Sequence, residues 1–326
     1  MRRAILSTFL VVFLAVGLVL AGLAYYGYET FKAPGLTEEE TVVVIPRGSS
    51  LEDIAEVLTE NGVISDPMVF GIAARLSEKA RRLKAGEYAI PPAASMEAVL
   101  GILESGQTIA RSLTVPEGLT SLEIVRLIRD APALVGDIAE VPPQGALLPE
   151  TYHYSFGGDR AELLQRMSQA MERTLGELWE ERQEGLPLKS PQEALALASI
   201  VEKETGIADE RPLVASVFIN RLRRGMPLQS DPTVIFALTE GEVPLGRALT
   251  RQDWRVEHPY NTYVIPALPP GPIANPGRAA IAAVLRPAES DYLYFVAAGD
   301  GGHAFAKTLR QHNRNVRAWR RIRDGN

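Results

Sequence analysis

Two glutamates end a long apolar segment in the second half of the chain, and they are the strongest candidates for chemistry. Residues 190–206 read SPQEALALASIVEKETG, with Glu202 and Glu204 two positions apart. A carboxyl group among aliphatic side chains is costly to ionise, so its pKa rises. Such a group can act as a general acid near neutral pH. The segment therefore predicts acid–base chemistry, and the alternative is a structural ion pair with Lys203 or Arg211.

Helical spacing distinguishes the two glutamates. Ser190 is a typical N-cap, Pro191 is favoured at the first helical position, and Glu193 is placed to close a capping box. In such a helix Glu204 continues the bulky apolar stripe, whereas Glu202 continues a smaller and more polar face. The negative end of the helix dipole also disfavours an anion at this end. We therefore predict that Glu204 is the better acid.

Other polar side chains in the second half are candidates for binding a sugar. They are of types that hydrogen-bond to hydroxyl groups or stack on sugar rings: Asn220, Gln229, Asn261 and Tyr263. Each of them can equally satisfy buried backbone groups. Asp231 precedes Pro232, which is more typical of a helix cap than of a catalytic acid. His303 follows a glycine-rich turn, and it fits a plain loop residue as well as a site residue.

Composition excludes several kinds of chemistry and partner. The 326 residues include no cysteine, which excludes disulfides, thiolate catalysis and cysteine-bound metal sites. The four histidines lie at no metal-ligand spacing, so we expect no metal site. A formal net charge of −6 argues against a nucleic-acid binder, because such proteins carry a basic surface for phosphates.

The N-terminal segment predicts a membrane anchor. Arg2 and Arg3 precede an uncharged, mostly apolar run over residues 4–28, which is long enough to cross the hydrocarbon layer. The positive-inside rule then puts the chain after about residue 30 on the extracytoplasmic side. A cleaved signal peptide is the alternative, because residues 22–24 are similar to a cleavage site, but the run is longer than a usual signal core. We therefore expect a single-pass protein of the cytoplasmic membrane.

The chain after the anchor of residues 1–30 predicts an α+β protein in two parts. Residues 31–40 are expected to form a polar linker that holds the folded part off the bilayer. Residues 41–130 are expected to form a small α/β module. Residues 131–326 alternate helical patterns with short strands, one of them predicted at 263–265, and are expected to form a mixed α+β catalytic domain.

The small module contains a loose internal repeat. VVVIPRG at 42–48 and LTVPEG at 113–118 each predict a strand and a Pro-x-Gly turn that lead into a capped helix. Units of this kind resemble LysM modules, which bind N-acetylglucosamine (GlcNAc) polymers. A spacer with no affinity for sugars fits the same pattern, because this turn is common in loops.

Several motifs of the second half, in order, resemble those of the endolytic murein transglycosylase (YceG-like) family. They are ASIVEKET at 198–205, VFINRL at 217–222, MPLQSDPT at 226–233, YNTY at 260–263 and LPPGPI at 268–273. The resemblance covers the chain from about residue 42 to the C-terminus. In that family the second glutamate of the Val-Glu-Lys-Glu string is catalytic, and it corresponds to Glu204. LPETY at 148–152 is also similar, so Glu150 is expected to help line the cleft.

The resemblance implies a lytic transglycosylase that acts on nascent peptidoglycan strands. Such an enzyme cleaves the β-1,4 bond between N-acetylmuramic acid (MurNAc) and GlcNAc and leaves 1,6-anhydro-MurNAc ends, with Glu204 as acid and then base. It implies no cofactor, a role in ending glycan elongation, and penicillin-binding proteins as partners. Two alternatives stay open. One is a non-catalytic peptidoglycan-binding scaffold, and the other is a hydrolase that pairs Glu204 with Glu150 or Glu202 and uses water.

Overall fold

The computed structural model describes residues 2–325, and the side chains of residues 9–325. The helices are α1 (Arg2–Lys32), α2 (Leu51–Glu60), α3 (Pro67–Leu76), α4 (Met96–Ser105), α5 (Ser121–Asp130), α6 (Arg160–Glu180), α7 (Pro191–Glu204), α8 (Arg211–Arg223), α9 (Asp231–Thr239), α10 (Arg278–Leu285) and α11 (Leu309–Asp324). The strands are β1 (Thr41–Ile45), β2 (Gly86–Ile90), β3 (Arg111–Thr114), β4 (Leu134–Val135), β5 (Thr151–Tyr154), β6 (Gly158–Asp159), β7 (Tyr294–Ala297) and β8 (His303–Ala306). The predicted mixed α+β class is confirmed.

The chain divides into two compact units. The first unit comprises residues 2–111 and 153–158, and the second comprises residues 112–152 and 159–325. This division differs from the predicted boundary at residue 130. Helix α5 belongs to the second unit, where it contacts α6.

Helix α1 is long and apolar enough to cross a membrane. Its described part, Phe9–Lys32, has 24 residues, and the most apolar stretch of 18 residues within it has a mean hydropathy of 2.4 and is not buried inside the protein. The side chains of the predicted basic pair, Arg2 and Arg3, lie outside the described residues. The chain therefore has an apolar N-terminal helix, which is either a membrane anchor or a signal sequence.

The first unit is built on one antiparallel strand pair. Thr41 of β1 lies opposite Ile90 of β2, and Ile45 lies opposite Gly86. Helices α2 and α3 stand between the two strands in the sequence, and α2 begins with a capping box made by Ser50 and Asp53. These elements share a core with α4: Val43, Ile45, Leu58, Phe70, Tyr88, Ile90 and Leu100. The unit therefore has a hydrophobic core of its own.

The second unit is organised around α7. This helix contacts α6, α8, α9 and α10, and its residues 194–201 are all buried. Its apolar positions run around the whole helix, so every face has a neighbour to pack against. The shared core includes Leu197, Ile200, Val201, Phe218, Ile281 and Val284. The buried helix predicted from residues 190–206 is thus present, with Glu204 as its last residue.

Two local predictions in the second unit are wrong. Ser190 caps α7 by accepting from the Glu193 N–H, but the Glu193 carboxylate accepts from the Lys189 N–H, so the capping box is not closed. The predicted strand at 263–265 is a turn. Asn261 causes the chain to turn here. Its side-chain oxygen accepts from the Tyr263 N–H, and its backbone carbonyl accepts from the N–H groups of Val264 and Ile265.

Candidate active site

Glu204 is the last residue of α7, and as a residue it is half-buried. The residues one turn before it, Ile200 and Val201, are fully buried. Among the described contacts of its side chain, the Ser230 hydroxyl donates a hydrogen bond to Glu204 Oε1 at 2.5 Å. Glu204 therefore lies where α7 ends, at the edge of the apolar core of the second unit.

Burial raises the pKa of Glu204 to about 7. The bond from Ser230 lowers it, the negative charge of Asp231 raises it further, and the nearby His303 and Arg221 lower it. The balance is set by desolvation, as the position of Glu204 on the apolar stripe predicts. A carboxyl group with this pKa is populated in both protonation states near neutral pH, as a group that gives and then takes a proton requires.

Ser230 is held in place by the segment around Thr262. Ser230 is the N-cap of α9, yet its side chain does not cap the helix, because its hydroxyl is directed to Glu204. Its N–H donates to Thr262 Oγ1 at 2.9 Å, and its carbonyl accepts from Thr233 Oγ1 at 2.7 Å. Residue 229, before it, has a left-handed backbone with φ of +54°. Ser230 was not among the predicted site residues, and only its place before Asp-Pro marked it in the sequence.

Asp231 is a hydrogen-bond acceptor for two aromatic side chains. Its Oδ1 accepts from the Tyr263 hydroxyl at 2.7 Å and from Trp254 Nε1 at 3.0 Å. The two rings are stacked with their centroids 5.7 Å apart. The expectation that Asp231 caps a helix is wrong, because Ser230 occupies the cap position and Asp231 is the first residue inside α9. Burial and Asp231 raise the pKa of Tyr263, so its phenol stays protonated.

Arg221 joins three segments around this site. Its Nε donates to the Leu293 carbonyl at 2.7 Å, and its Nη1 donates to the Leu228 carbonyl at 2.7 Å. The same Nη1 lies 3.5 Å from Gln229 Oε1, which places the predicted residue Gln229 beside the Ser230 cap. Arg221 is itself buried. The role of Arg221 was not predicted, because the sequence does not indicate which backbone carbonyls an arginine on a helix will contact.

His303 is the first residue of β8, and it is hydrogen-bonded to Glu210. Its Nδ1 lies 2.6 Å from Glu210 Oε2, and its N–H donates to Glu210 Oε1 at 2.8 Å. Its influence on the pKa of Glu204 places it near the carboxyl group. His303 therefore belongs to the surroundings of Glu204, although no hydrogen bond joins the two among the described contacts.

Glu202 lies in a structural ion pair. Its Oε1 is 3.4 Å from Arg211 Nη2, and its Oε2 accepts from the Gly277 N–H at 2.9 Å. Gly277 is the N-cap of α10, so the carboxylate satisfies a free N–H at the positive end of that helix. Arg211 also pairs with Glu117 at 3.1 Å. Both oxygens of Glu202 are engaged, and they hold α7 to α10.

The remaining predicted residues have backbone partners. The Asn220 side-chain amide donates to the carbonyls of Ser290 and Tyr292, at 2.8 and 3.1 Å. Asn261 is fully buried, and its amide donates to the Val256 carbonyl at 2.8 Å. These two asparagines hold loops in place and have no free amide N–H to offer a sugar. Glu150 is exposed, and no described contact joins its side chain to Glu204.

The site as a whole can exchange one proton beside an aromatic surface. Glu204 and Ser230 form the polar centre, and Trp254 and Tyr263, oriented by Asp231, form a stacked pair beside them. Over residues 9–325, whose side chains are described, no group of three or more His, Asp or Glu side chains is arranged to hold a metal ion. Proton transfer by a carboxyl group is the chemistry that Glu204, with its raised pKa and its bond from Ser230, supports.

Known proteins are similar to this chain over most of its length. The chain is 31% identical to an endolytic murein transglycosylase of Bacillus subtilis over 331 residues, which covers 91% of this chain and 90% of that protein. It is 27% identical to an endolytic murein transglycosylase of Streptococcus pneumoniae, covering 95% of this chain and 65% of the longer relative.

A solved structure and a family profile extend the comparison. A crystal structure of a YceG-like protein from Listeria monocytogenes matches 85% of this chain and 99% of its own, with 31% identity and a TM-score of 0.51. The profile of the YceG-like family matches residues 43–318, which include both glutamates of α7. The chain belongs to the YceG-like family.

Proposed function

We propose that this protein is an endolytic lytic transglycosylase, which cleaves the MurNAc–GlcNAc β-1,4 bond within peptidoglycan strands and leaves 1,6-anhydro-MurNAc ends. The observation that carries the proposal is Glu204, a half-buried residue at the end of α7 whose carboxyl pKa is raised by burial to about 7. The names of the Bacillus subtilis and Streptococcus pneumoniae relatives support the same activity.

The reaction needs one carboxyl group that acts twice. Glu204 donates its proton to the GlcNAc O4 as the bond from this oxygen to C1 of MurNAc breaks. The resulting carboxylate then takes the proton of the MurNAc C6 hydroxyl, whose oxygen bonds to C1 and closes the anhydro ring. The proton lost in the first step is regained in the second, so no water is consumed. A hydrolase would instead need a second carboxylate to act as a nucleophile or to activate water.

The surroundings of Glu204 support this double role. The Ser230 hydroxyl donates to the carboxyl group and so stabilises its ionised form, while burial stabilises its neutral form. The stacked rings of Trp254 and Tyr263 offer a flat surface of the kind on which sugar rings bind. We assign them, with Gln229 beside Arg221, to substrate binding.

The N-terminal half supports a role at the membrane. We infer that α1 is retained as an anchor and that residues 41–130 include a LysM-like module with affinity for GlcNAc polymers. The paired strands β1 and β2, with α2 and α3 between them and a core of their own, support an independent module. An anchored enzyme meets strands near the membrane surface, so its substrate would be nascent glycan, its effect the end of strand elongation, and its partners penicillin-binding proteins.

The experiment that tests the activity is the digestion of purified glycan strands in ¹⁸O-labelled water, followed by mass spectrometry. The expected products end in 1,6-anhydro-MurNAc and contain no solvent oxygen. Products with an ¹⁸O-labelled reducing end would mean hydrolysis. Binding of strands without any cleavage would favour a non-catalytic scaffold.

A further inference from the structure

A cleft of about 670 Å³ lies in the first unit between α1 and α3, and the proposed reaction does not use it. Helix α1 contributes side chains between residues 23 and 31, from Leu23 to Phe31. Helix α3 contributes a set of mostly aliphatic side chains: Met68, Val69, Ile72, Ala73 and Leu76. The walls are therefore apolar along both helices, and Asp66, the N-cap of α3, lies at one end.

The α3 wall continues onto an exposed apolar stripe. Met68, Ile72 and Leu76 are spaced four residues apart, so they form one row along the helix, and they are 72%, 49% and 81% exposed. The opposite face of α3 carries Phe70 and Ala74, which are fully buried in the core. Single exposed apolar side chains are ordinary on a protein surface, but a row that borders an apolar cleft indicates a binding surface.

The position of the cleft along α1 relates it to the membrane. A helix rises 1.5 Å per residue, so a hydrocarbon layer of about 30 Å takes about 20 residues. A span that starts between residues 4 and 9 therefore ends between about residues 23 and 28. The cleft lies against the part of α1 where the chain leaves the hydrocarbon. Three tyrosines at 25, 26 and 28 mark the same depth, since such rings favour the interface.

The first unit is fastened to α1 at this point. Phe31 packs against the core of the unit, and the Gly35 N–H donates to the Ala93 carbonyl at 3.1 Å. The Ala93 N–H donates in turn to the Thr37 carbonyl at 2.8 Å. The predicted linker is therefore hydrogen-bonded to the unit, and α3 cannot move far from the membrane while α1 spans it.

We propose that phospholipid acyl chains of the outer leaflet fill the cleft and cover the α3 stripe, which makes α3 a second membrane contact. The proposal rests on the retention of α1 as an anchor. Acyl chains remove the apolar walls from water, which is favourable in proportion to the area covered. Residues 75–84 carry five basic side chains, but Arg75 pairs with Glu52, and Lys79 and Arg82 pair with Glu104, so the apolar surface and not the charge of this segment carries the proposal.

The test uses the full chain and its lack of cysteine. Single-cysteine variants Ile72→Cys, Val19→Cys and Arg47→Cys are labelled with a polarity-sensitive fluorophore and reconstituted in vesicles of phosphatidylcholine and phosphatidylglycerol. Val19 lies in the span and is exposed from the protein, so it reports the anchor. Arg47 is exposed in the turn after β1, at the end of the strand pair away from α1, so it is the matched control.

Quenching by spin labels on the acyl chains reads out the result. We expect the label at position 72 to be quenched several-fold more than that at position 47, and its emission to shift to the blue. Quenching at position 19 with none at position 72 would overturn the second contact and leave the anchor intact. Absence of quenching at both positions would overturn the anchor, and the second contact with it.

Discussion

At the scale of single residues, Glu204 and Ser230 form the pair on which the proposed chemistry depends. The carboxyl group is kept partly neutral by its apolar neighbours, and the hydroxyl that donates to it favours the anion. Neither effect alone suits a group that must give and then take a proton. Their opposition brings the pKa to about 7, and each can be removed separately.

The first prediction concerns the carboxyl group itself. Glu204→Gln keeps the size of the side chain and its packing, but it removes the transferable proton, so glycan cleavage should fall by about 10²–10⁴-fold. Circular dichroism should show an unchanged fold. The matched control is Glu202→Gln on the same helix, which weakens the pair with Arg211 but leaves the proton of Glu204 in place. Its cleavage rate should stay close to that of the wild type. Full activity in Glu204→Gln would exclude it as the acid.

The second prediction is a pH dependence of stability. The folded-state pKa of Glu204, about 7, lies above the ordinary value of 4.5, so the neutral carboxyl stabilises the native state. This contribution is fully present below pH 4.5 and is lost as the pH rises through 7. One pKa unit corresponds to about 1.4 kcal/mol, so the loss is at most about 3 kcal/mol.

Urea unfolding of the full chain in detergent at pH 5 and pH 8 measures this effect. The free energy of unfolding of Glu204→Gln, relative to that of the wild type, should be greater at pH 8 than at pH 5. The reason is that the variant has no carboxyl group at this position to ionise. An identical difference between the two proteins at both pH values would mean that Glu204 is not desolvated.

The third prediction separates the role of Ser230 from plain packing. Ser230→Ala removes the hydrogen bond that lowers the pKa of Glu204, so the alkaline limb of kcat/KM should move to higher pH. Ser199→Ala is the control, because Ser199 is a buried serine of α7 whose hydroxyl bonds to the Ala196 carbonyl. It should cost stability without moving the pH profile. Superimposable profiles for Ser230→Ala and wild type would rule out this positioning role.

At the scale of elements, the site depends on loops that helices hold in place. Helix α8 fixes the segment before α9, because Arg221 donates to the carbonyls of Pro227 and Leu228 and lies against Gln229. The Thr262 segment fixes it from the other side through the Ser230 N–H. The left-handed backbone at residue 229 is thus held between two elements, as strained backbone at a functional site requires.

The fourth prediction tests this arrangement. Arg221→Lys keeps the charge but cannot reproduce the several bonds of a planar guanidinium group, so stability should fall by about 2 kcal/mol. Activity should fall as well, because Ser230 follows the loosened segment. Arg223→Lys on the same helix is the control, since Arg223 is exposed and donates only to the Gly185 carbonyl among its described hydrogen bonds. It should stay within about 0.5 kcal/mol of the wild type in a denaturant titration.

At the scale of the whole molecule, α1 would determine where the proposed chemistry takes place if it is retained as an anchor. The helix is long enough to span a bilayer, and its outer part lines the cleft with α3. If it were cleaved near residue 24, this wall of the cleft would lose Leu23 and Ala24 and keep only the part from Tyr26 to Phe31. Retention of α1 therefore links the location of the enzyme to the structure of its first unit.

The fifth prediction concerns topology. A reporter fused after Asn326 should be active only outside the cytoplasm, and the protein should fractionate with membranes at its uncleaved length. Mass spectrometry of the purified protein gives the N-terminus directly. Recovery of a soluble form that begins near Tyr25 would mean that the segment is a signal peptide.

The sequence by itself determined those properties that depend on residues close to one another in the chain. The apolar run of residues 4–28, the Ser190 cap and the pattern of α7 each depend on neighbours within a few turns. The stripe that buries Glu204 follows from the spacing of residues 197–204 alone, so its raised pKa was predictable. The family resemblance used the same kind of information, since its motifs are contiguous.

Only the tertiary structure decided which polar groups meet. Ser230 reaches Glu204 across 26 positions, and Tyr263 reaches Asp231 across 32. Asn220 and Asn261 are of the same chemical types as sugar-binding residues, yet buried backbone carbonyls occupy their amides. The physical reason is that a buried polar group must form a hydrogen bond with whichever group packing brings near it. The periodicity of helices and strands contains no information about which loops from distant parts of the chain will meet.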